Sequence, residues 1–205
     1  MRKIWIIEHM SLDGVIQAPG GPDEDRDGDF EHGGWIARHS DPVVGEVIVA
    51  AHSKAFDLLL GRRTYDIWSG YWPKVENDPI ADGLNAATKY VATHRSDSLG
   101  WGPVESLSPD IVQGVRRIKA KDGPDLIVWG SSTLTPMLLE HGLADEVLLF
   151  VYPVLLGKGK RLFSDGADPR DLTLVSSTPA FSGVVISSYK HSGALRTGTI
   201  GEGAG

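Results

Sequence analysis

Short apolar runs without alternation recur along the chain, at Ile4–Ile7, Leu58–Leu60, within Lys89–Thr93, at Leu126–Trp129 and through Asp145–Leu156. Strands that read this way are covered on both faces, as in a mainly parallel sheet. Between them the apolar residues change to helical spacing. Val43, Val44, Val47, Ile48 and Ala51 follow Asp41, a good N-cap. Ile80 to Ala87 is a short helix, and Ile111, Val115 and Ile118 mark a longer one opened by Ser108 or Pro109. Trp101 to Ser106 gives a weak strand. Leu172–Ser177 and Gly183–His191 do alternate, which predicts an antiparallel hairpin on the sheet edge. Residues 1–191 are expected to form one α/β domain, and 192–205 have the composition of a flexible tail.

Two of the junctions share a design. Leu58-Leu59-Leu60 stops at Gly61 and is followed by Arg62, Arg63 and Thr64, then by Tyr65 and Trp68 at helical spacing. Leu126 to Trp129 stops at Gly130 and is followed by Ser131, Ser132 and Thr133, then by Leu134, Met137 and Leu138. A helix start carries unpaired N–H groups and the positive end of a dipole, so such a turn suits a phosphate. The first copy is basic and takes a charged phosphate; the neutral second suits a pyrophosphate or ribose held by N–H and hydroxyl groups. The pair predicts one extended ligand, whereas either copy alone also reads as an ordinary strand-to-helix turn.

Composition narrows the ligand. The chain has 205 residues and a net charge of −7, which argues against a nucleic-acid binder, so local basic clusters call for small anions. It has no cysteine, which excludes disulfides, thiolate catalysis and thiolate-ligated metals. Glu8, His9 and Asp13 cut short the leading apolar run, and no stretch has membrane-spanning length. A cytoplasmic protein without a membrane partner is expected.

Further candidates stand at the carboxyl ends of strands, where open α/β sheets bind ligands. Asp13 in Ser11-Leu12-Asp13-Gly14 is one, with a plain Asp-Gly turn as the alternative. Thr93, His94 and Arg95 are others; Arg95 completes a clamp on a phosphate gripped by Arg62 or Arg63, unless the segment is a solvated loop. Residues 17–41 are rich in Gly, Pro and Asp without a period, yet Phe30, Trp35 and Ile36 are too apolar for a solvated linker. This loop is expected to fold over a pocket. Tyr71 and Trp72 either wall a planar ligand or pack beneath it. His32 and His39 match no metal-ligand spacing, and no metal is expected. Arg116, Arg117, Lys119 and Lys121 read as an outward, solvated face, and Gly157–Arg161 as a basic turn.

The landmarks Ser11–Gly14, Glu31–Trp35, Leu58–Trp68, Tyr71–Pro73, the middle strand ending at Arg95 and Leu126–Leu134 come in order and at matching spacing. Together they resemble the dihydrofolate-reductase-like family, whose members include the reductase domain of bacterial riboflavin biosynthesis. The resemblance covers roughly residues 1–190 and is to a stand-alone member. It implies a three-layer fold, with a mainly parallel central sheet, flanking helices and an antiparallel C-terminal hairpin, binding NADPH across the carboxyl ends of the strands. By this resemblance Gly61, Arg62, Arg63 and Thr64 receive nucleotide phosphates. Thr93, His94 and Arg95 lie by the adenosine and its 2′-phosphate. Gly130, Ser131, Ser132, Thr133 and Leu134 hold the pyrophosphate, and Ile16 packs near the nicotinamide.

The expected activity is therefore NADPH-dependent hydride transfer to a pyrimidine- or pterin-like heterocycle, with Asp13 orienting the substrate or delivering a proton and Trp35 and Trp72 stacking around it. Dihydrofolate reductases carry an acid in the first helix after the lid, and none aligns here. A phosphoribosylated substrate would need Lys158, Lys160, Arg161 or Arg38. The alternatives are a true dihydrofolate reductase and a nucleotide-binding module without chemistry. A homodimer is expected, with Val184–Tyr189 and Val147–Leu156 as the segments that would pair between subunits.

Overall fold

The computed structural model describes residues 1–107, 109–163 and 169–201. In chain order the elements are β1 (Ile4–Ser11), α1 (Pro42–Ala51), β2 (Phe56–Gly61), α2 (Arg62–Tyr71), α3 (Pro79–Ala86), β3 (Lys89–Ala92), β4 (Val104–Ser106), α4 (Ile111–Ala120), β5 (Asp125–Trp129), α5 (Leu134–Glu140), β6 (Glu146–Tyr152), β7 (Arg170–Pro179) and β8 (Val185–Ala194). The strands form one eight-stranded sheet in the order β4-β3-β2-β5-β1-β6-β8-β7. Its first six strands are parallel, and β8 and β7 add the antiparallel hairpin.

The uninterrupted apolar runs are explained by helices on both faces. Leu58, Leu59 and Leu60 are fully buried, each contributing about 1.5–3 kcal/mol of transfer free energy. One face of the sheet packs on Val115 and Ile118 of α4 and Leu134 and Leu138 of α5. The other packs on Val44 of α1, Tyr65 of α2 and Leu84 of α3. This is the expected three-layer fold. Caps set the helix starts: the Asp41 carboxylate accepts from the Val43 N–H, Asp78 from Ile80 and Ala81, and Asp110 from Gln113. Ser108, offered above as a helix start, lies outside the described residues, and the N-cap falls at Asp110.

Three expectations change. Lys119 is buried, and its ammonium reaches the Leu143 carbonyl and the Asp145 carboxylate, so it is no part of a solvated face. Val184–Tyr189 and Val147–Leu156 pair with each other in register, from Val147 opposite Tyr189 to Val151 opposite Val185. They are interior strands here; the sheet edges are β4 and β7. Finally, β8 runs to Ala194, past the expected start of the tail.

Candidate active site

Strands β2 and β5 are hydrogen-bonded neighbours, yet the helices that follow them lie on opposite faces of the sheet. Where successive connections part in this way the carboxyl ends of the strands open into a crevice. A cavity of about 520 Å³ occupies it. Both glycine turns line it: Gly61, Arg62, Arg63 and Thr64 from one, Gly130, Ser131, Ser132 and Thr133 from the other. Ile16 is also on the wall, while Leu134 is buried in the core behind it.

The turns interlock. A Cβ on Gly61 would run into the Ser131 hydroxyl, and one on Gly130 would lie 3.1 Å from the Thr64 hydroxyl. Gly130 is left-handed at φ 63° and Ser131 follows at φ 74°. Gly61 makes no side-chain cap to α2. The second turn is less open, because the Ser131 hydroxyl accepts the Leu134 N–H and the Ser131 carbonyl the Thr135 N–H. Its ligand-facing groups are therefore Ser132 and Thr133 more than the start of α5.

Each arginine of the basic turn is already engaged. Arg62 pairs with Asp66 and donates to the carbonyls of Arg95 and Asp97, bracing the loop after β3 against α2. Arg63 pairs with Asp25, which comes from the 17–41 loop. The segment Thr93–Arg95 thus stands beside Arg62 but off the cavity wall: Thr93 is buried and bonded to the Arg95 backbone, and the His94 and Arg95 side chains are exposed.

The loop does fold over the cavity. Phe30 is buried with Val15 and Ala18, and Gln17, Ala18, Pro19, Gly20, Glu24, Asp25 and Asp27 reach the wall. Lys160, from the basic turn after β6, stands 2.8 Å from Asp25 and 2.9 Å from Asp27. Burial raises the Asp25 carboxyl, but its bonds to Arg63 and Lys160 outweigh that and hold it below the usual range. Lys160 and Arg63 together pin the loop down.

Asp13 is elsewhere. Its carboxylate accepts from the Ser11 hydroxyl and from the Leu156 and Gly157 N–H groups, and Arg161 bonds its carbonyl. The Ser11 bond first, then the two amides, hold its pKa down at about 2. It organises the turn after β1 and is not on the cavity wall. Trp35 is also off the wall, its indole N–H donating to the Gln17 carbonyl and its ring edge-on to Tyr152.

The remaining wall is aromatic and aliphatic: Trp68, Trp72, Trp129, Ile36, Ile48, Ile67, Ile80 and Leu84, with His52. His52 is spent on structure, bonding the Ile48 carbonyl through Nδ1 and accepting the Trp129 indole N–H at Nε2. Burial lowers its pKa. The buried indole N–H of Trp72 has no hydrogen-bond partner among the described residues.

On β1, Glu8 is buried on the wall and its Oε1 has no hydrogen-bond partner among the described residues. Burial raises its pKa well above the ordinary value; the Gly130 amide offsets part of this, and Glu24 adds repulsion. Next to it His9 is pushed down to about 4 by burial, with Nδ1 against the Tyr152 hydroxyl. Sequence reading missed Glu8, Glu24, Asp25, His9 and Trp129. An acid inside an otherwise apolar central strand was the one available signal for Glu8.

The sequence profile of the RibD C-terminal domain family matches residues 2–186. The chain belongs to this family. It is 30% identical over 140 residues to the uncharacterized protein YyaP of Bacillus subtilis strain 168, covering 66% of this chain and 74% of that one. Among solved structures, a putative riboflavin biosynthesis protein from Shewanella sp. PV-4 superposes with a TM-score of 0.71 at 21% identity, over 93% of this chain and 99% of that one. Dihydrofolate reductase from Enterococcus faecalis, complexed with NADP(H), gives 0.60 at 14% identity over 92% and 96%. A pyrimidine reductase-like protein from Corynebacterium diphtheriae gives 0.57 at 14% identity over 96% and 93%. These likenesses establish the fold.

Proposed function

We propose that this protein is an NADPH-dependent reductase that reduces a C=N or C=O group of an uncharged, planar, pyrimidine- or pterin-like heterocycle. The observation that carries this reading is a cavity in which a glycine-turn half, with arginines, runs directly into an aromatic half. The residues fit the cofactor: Gly61 itself carries no side chain, the start of α2 has no side-chain cap, and Arg62 and Arg63 flank it. When bound, the reduced nicotinamide supplies the hydride. Arg63, once drawn from Asp25, would give a 2′-phosphate a charge-assisted donor worth about 1.5–3 kcal/mol, which favours NADPH over NADH. Ser132 and Thr133 offer hydroxyls to the pyrophosphate, Ile16 packs by the nicotinamide, and the loop pinned at Asp25 excludes water.

The substrate is assigned to the aromatic half, where Trp68, Trp72 and Trp129 provide ring surfaces and the free Trp72 N–H meets an acceptor atom. Charge argues against a phosphorylated substrate. Of Lys158, Lys160, Arg161 and Arg38 only Lys160 is on the wall, and it is held between Asp25 and Asp27. From α1 only Ile48 and from its C-cap only His52 reach the wall, so the helix acid of a folate reductase has no counterpart there. The test is NADPH oxidation, followed at its absorbance band, with lumazine and 7,8-dihydropterin against phosphorylated pyrimidine nucleotides. Turnover is expected with the uncharged rings; turnover confined to the phosphorylated compounds would contradict the assignment.

A further inference from the structure

Reduction of a C=N bond needs a proton as well as a hydride, and most titratable groups on the cavity wall are committed elsewhere. Asp25 and Asp27 are paired with Lys160, and His52 uses both ring nitrogens in the fold. Glu24 Oε2 accepts from the Gly20 and Gly21 N–H groups. Glu8 differs from all of them, being 3% exposed with its Oε1 lacking a hydrogen-bond partner among the described residues. A buried carboxyl oxygen left this way is costly unless a ligand or water meets it.

Its position is as informative as its isolation. In the parallel β1–β5 register Ile7 stands opposite Trp129, so Glu8 is level with Gly130. Trp129 belongs to the aromatic half and Gly130 to the glycine half, which puts Glu8 at the junction where a substrate in one meets a cofactor laid along the other. We infer that Glu8 is the proton donor of the reaction, acting on the substrate nitrogen at this junction. This rests on the reductase reading above.

As the hydride adds to the carbon of the C=N bond, the π pair moves to nitrogen, which forms an N–H bond with the Glu8 proton while the Glu8 O–H bond breaks. The substrate gains one hydride and one proton, the two electrons being those a reduced nicotinamide would supply, and Glu8 is left as a carboxylate beside the Gly130 amide. Burial, with repulsion from Glu24, keeps the proton on Glu8 to higher pH than an ordinary glutamate and makes its carboxylate eager to be reprotonated.

The test uses Glu8→Gln, which keeps the size of the side chain, with Glu24→Gln beside it. Infrared difference spectra of the intact protein at about pH 6, above the ordinary glutamate value of 4.5, should show a protonated-carboxyl stretch that is lost in Glu8→Gln. NADPH should bind the variant as it binds the parent, while kcat falls roughly 10²-fold or more. In Glu24→Gln the alkaline limb of the pH–kcat profile should move to lower pH, because the repulsion that holds the Glu8 proton is gone. Normal NADPH binding with an unchanged kcat in Glu8→Gln, or no carboxyl band to lose, overturns the inference alone. Absence of saturable NADPH binding in the parent overturns the reductase reading and this step with it.

Discussion

Gly61 and Ser131 face each other across the cavity floor so closely that a methyl group on Gly61 would meet the Ser131 hydroxyl. Gly61 has φ −69°, which any residue adopts, so crowding alone demands glycine there. The hydroxyl cannot swing away without releasing the Leu134 N–H it caps. We expect Gly61→Ala to lower stability by about 1–2 kcal/mol, and Gly61→Ala with Ser131→Gly to recover most of it, since the second change also removes a left-handed serine. Thermal unfolding of the single and double variants checks this.

How far the sequence reveals such a site depends on what each residue's role leaves visible. Gly61 and Gly130 end apolar runs and open helical ones, so both turns were readable; their mutual contact was not, because it depends on β2 lying beside β5. Glu8 sits in a strand buried on both faces, where period two disappears and an acid reads as an interruption. Asp25 belongs to a loop with no period, and its partners Arg63 and Lys160 lie 38 and 135 positions away. Asp13 looked like a site residue because a turn after a strand and a ligand contact have the same local signature. Lys119 looked solvated because only the fold brings Asp145 to it.

Asp25 holds Arg63 and Lys160 while the cofactor's phosphate would want the first of them. Asp25→Asn should therefore do two things. Proteolysis within the 17–41 loop should speed up, for a loss of about 1 kcal/mol given the exposure of Arg63. Binding of 2′,5′-ADP should tighten roughly five-fold as the competing carboxylate goes. Unchanged 2′,5′-ADP affinity would remove Arg63 from the phosphate site.

Trp72→Phe keeps an aromatic surface and deletes the unpartnered N–H. The KM for the heterocycle should rise about ten-fold, the worth of one hydrogen bond, with NADPH affinity unchanged. Equal KM values would place the substrate elsewhere.

Glu8 and His9 shape the pH dependence of stability in opposite directions. The folded pKa of Glu8 lies above its unfolded value near 4.5, so the native chain keeps a proton that the unfolded chain gives up, and stability is lost as pH rises from 4.5 through the folded value. His9 has a folded pKa of about 4 against 6.5, so the unfolded chain binds the extra proton and stability is lost as pH falls from 6.5 to 4. The difference in Tm between Glu8→Gln and the parent should widen as pH rises above 4.5; a constant difference would mean that Glu8 ionises as freely in the fold as out of it.

The most direct test of the account is a fluorescence titration of the protein with NADPH and, separately, with NADH. Trp68, Trp72 and Trp129 line the cavity, so a nicotinamide bound there should quench their emission. The account predicts saturable quenching by NADPH and binding of NADH at least ~10-fold weaker, the loss of one charge-assisted contact. No saturable quenching by NADPH, or equal affinity for the two, would contradict it.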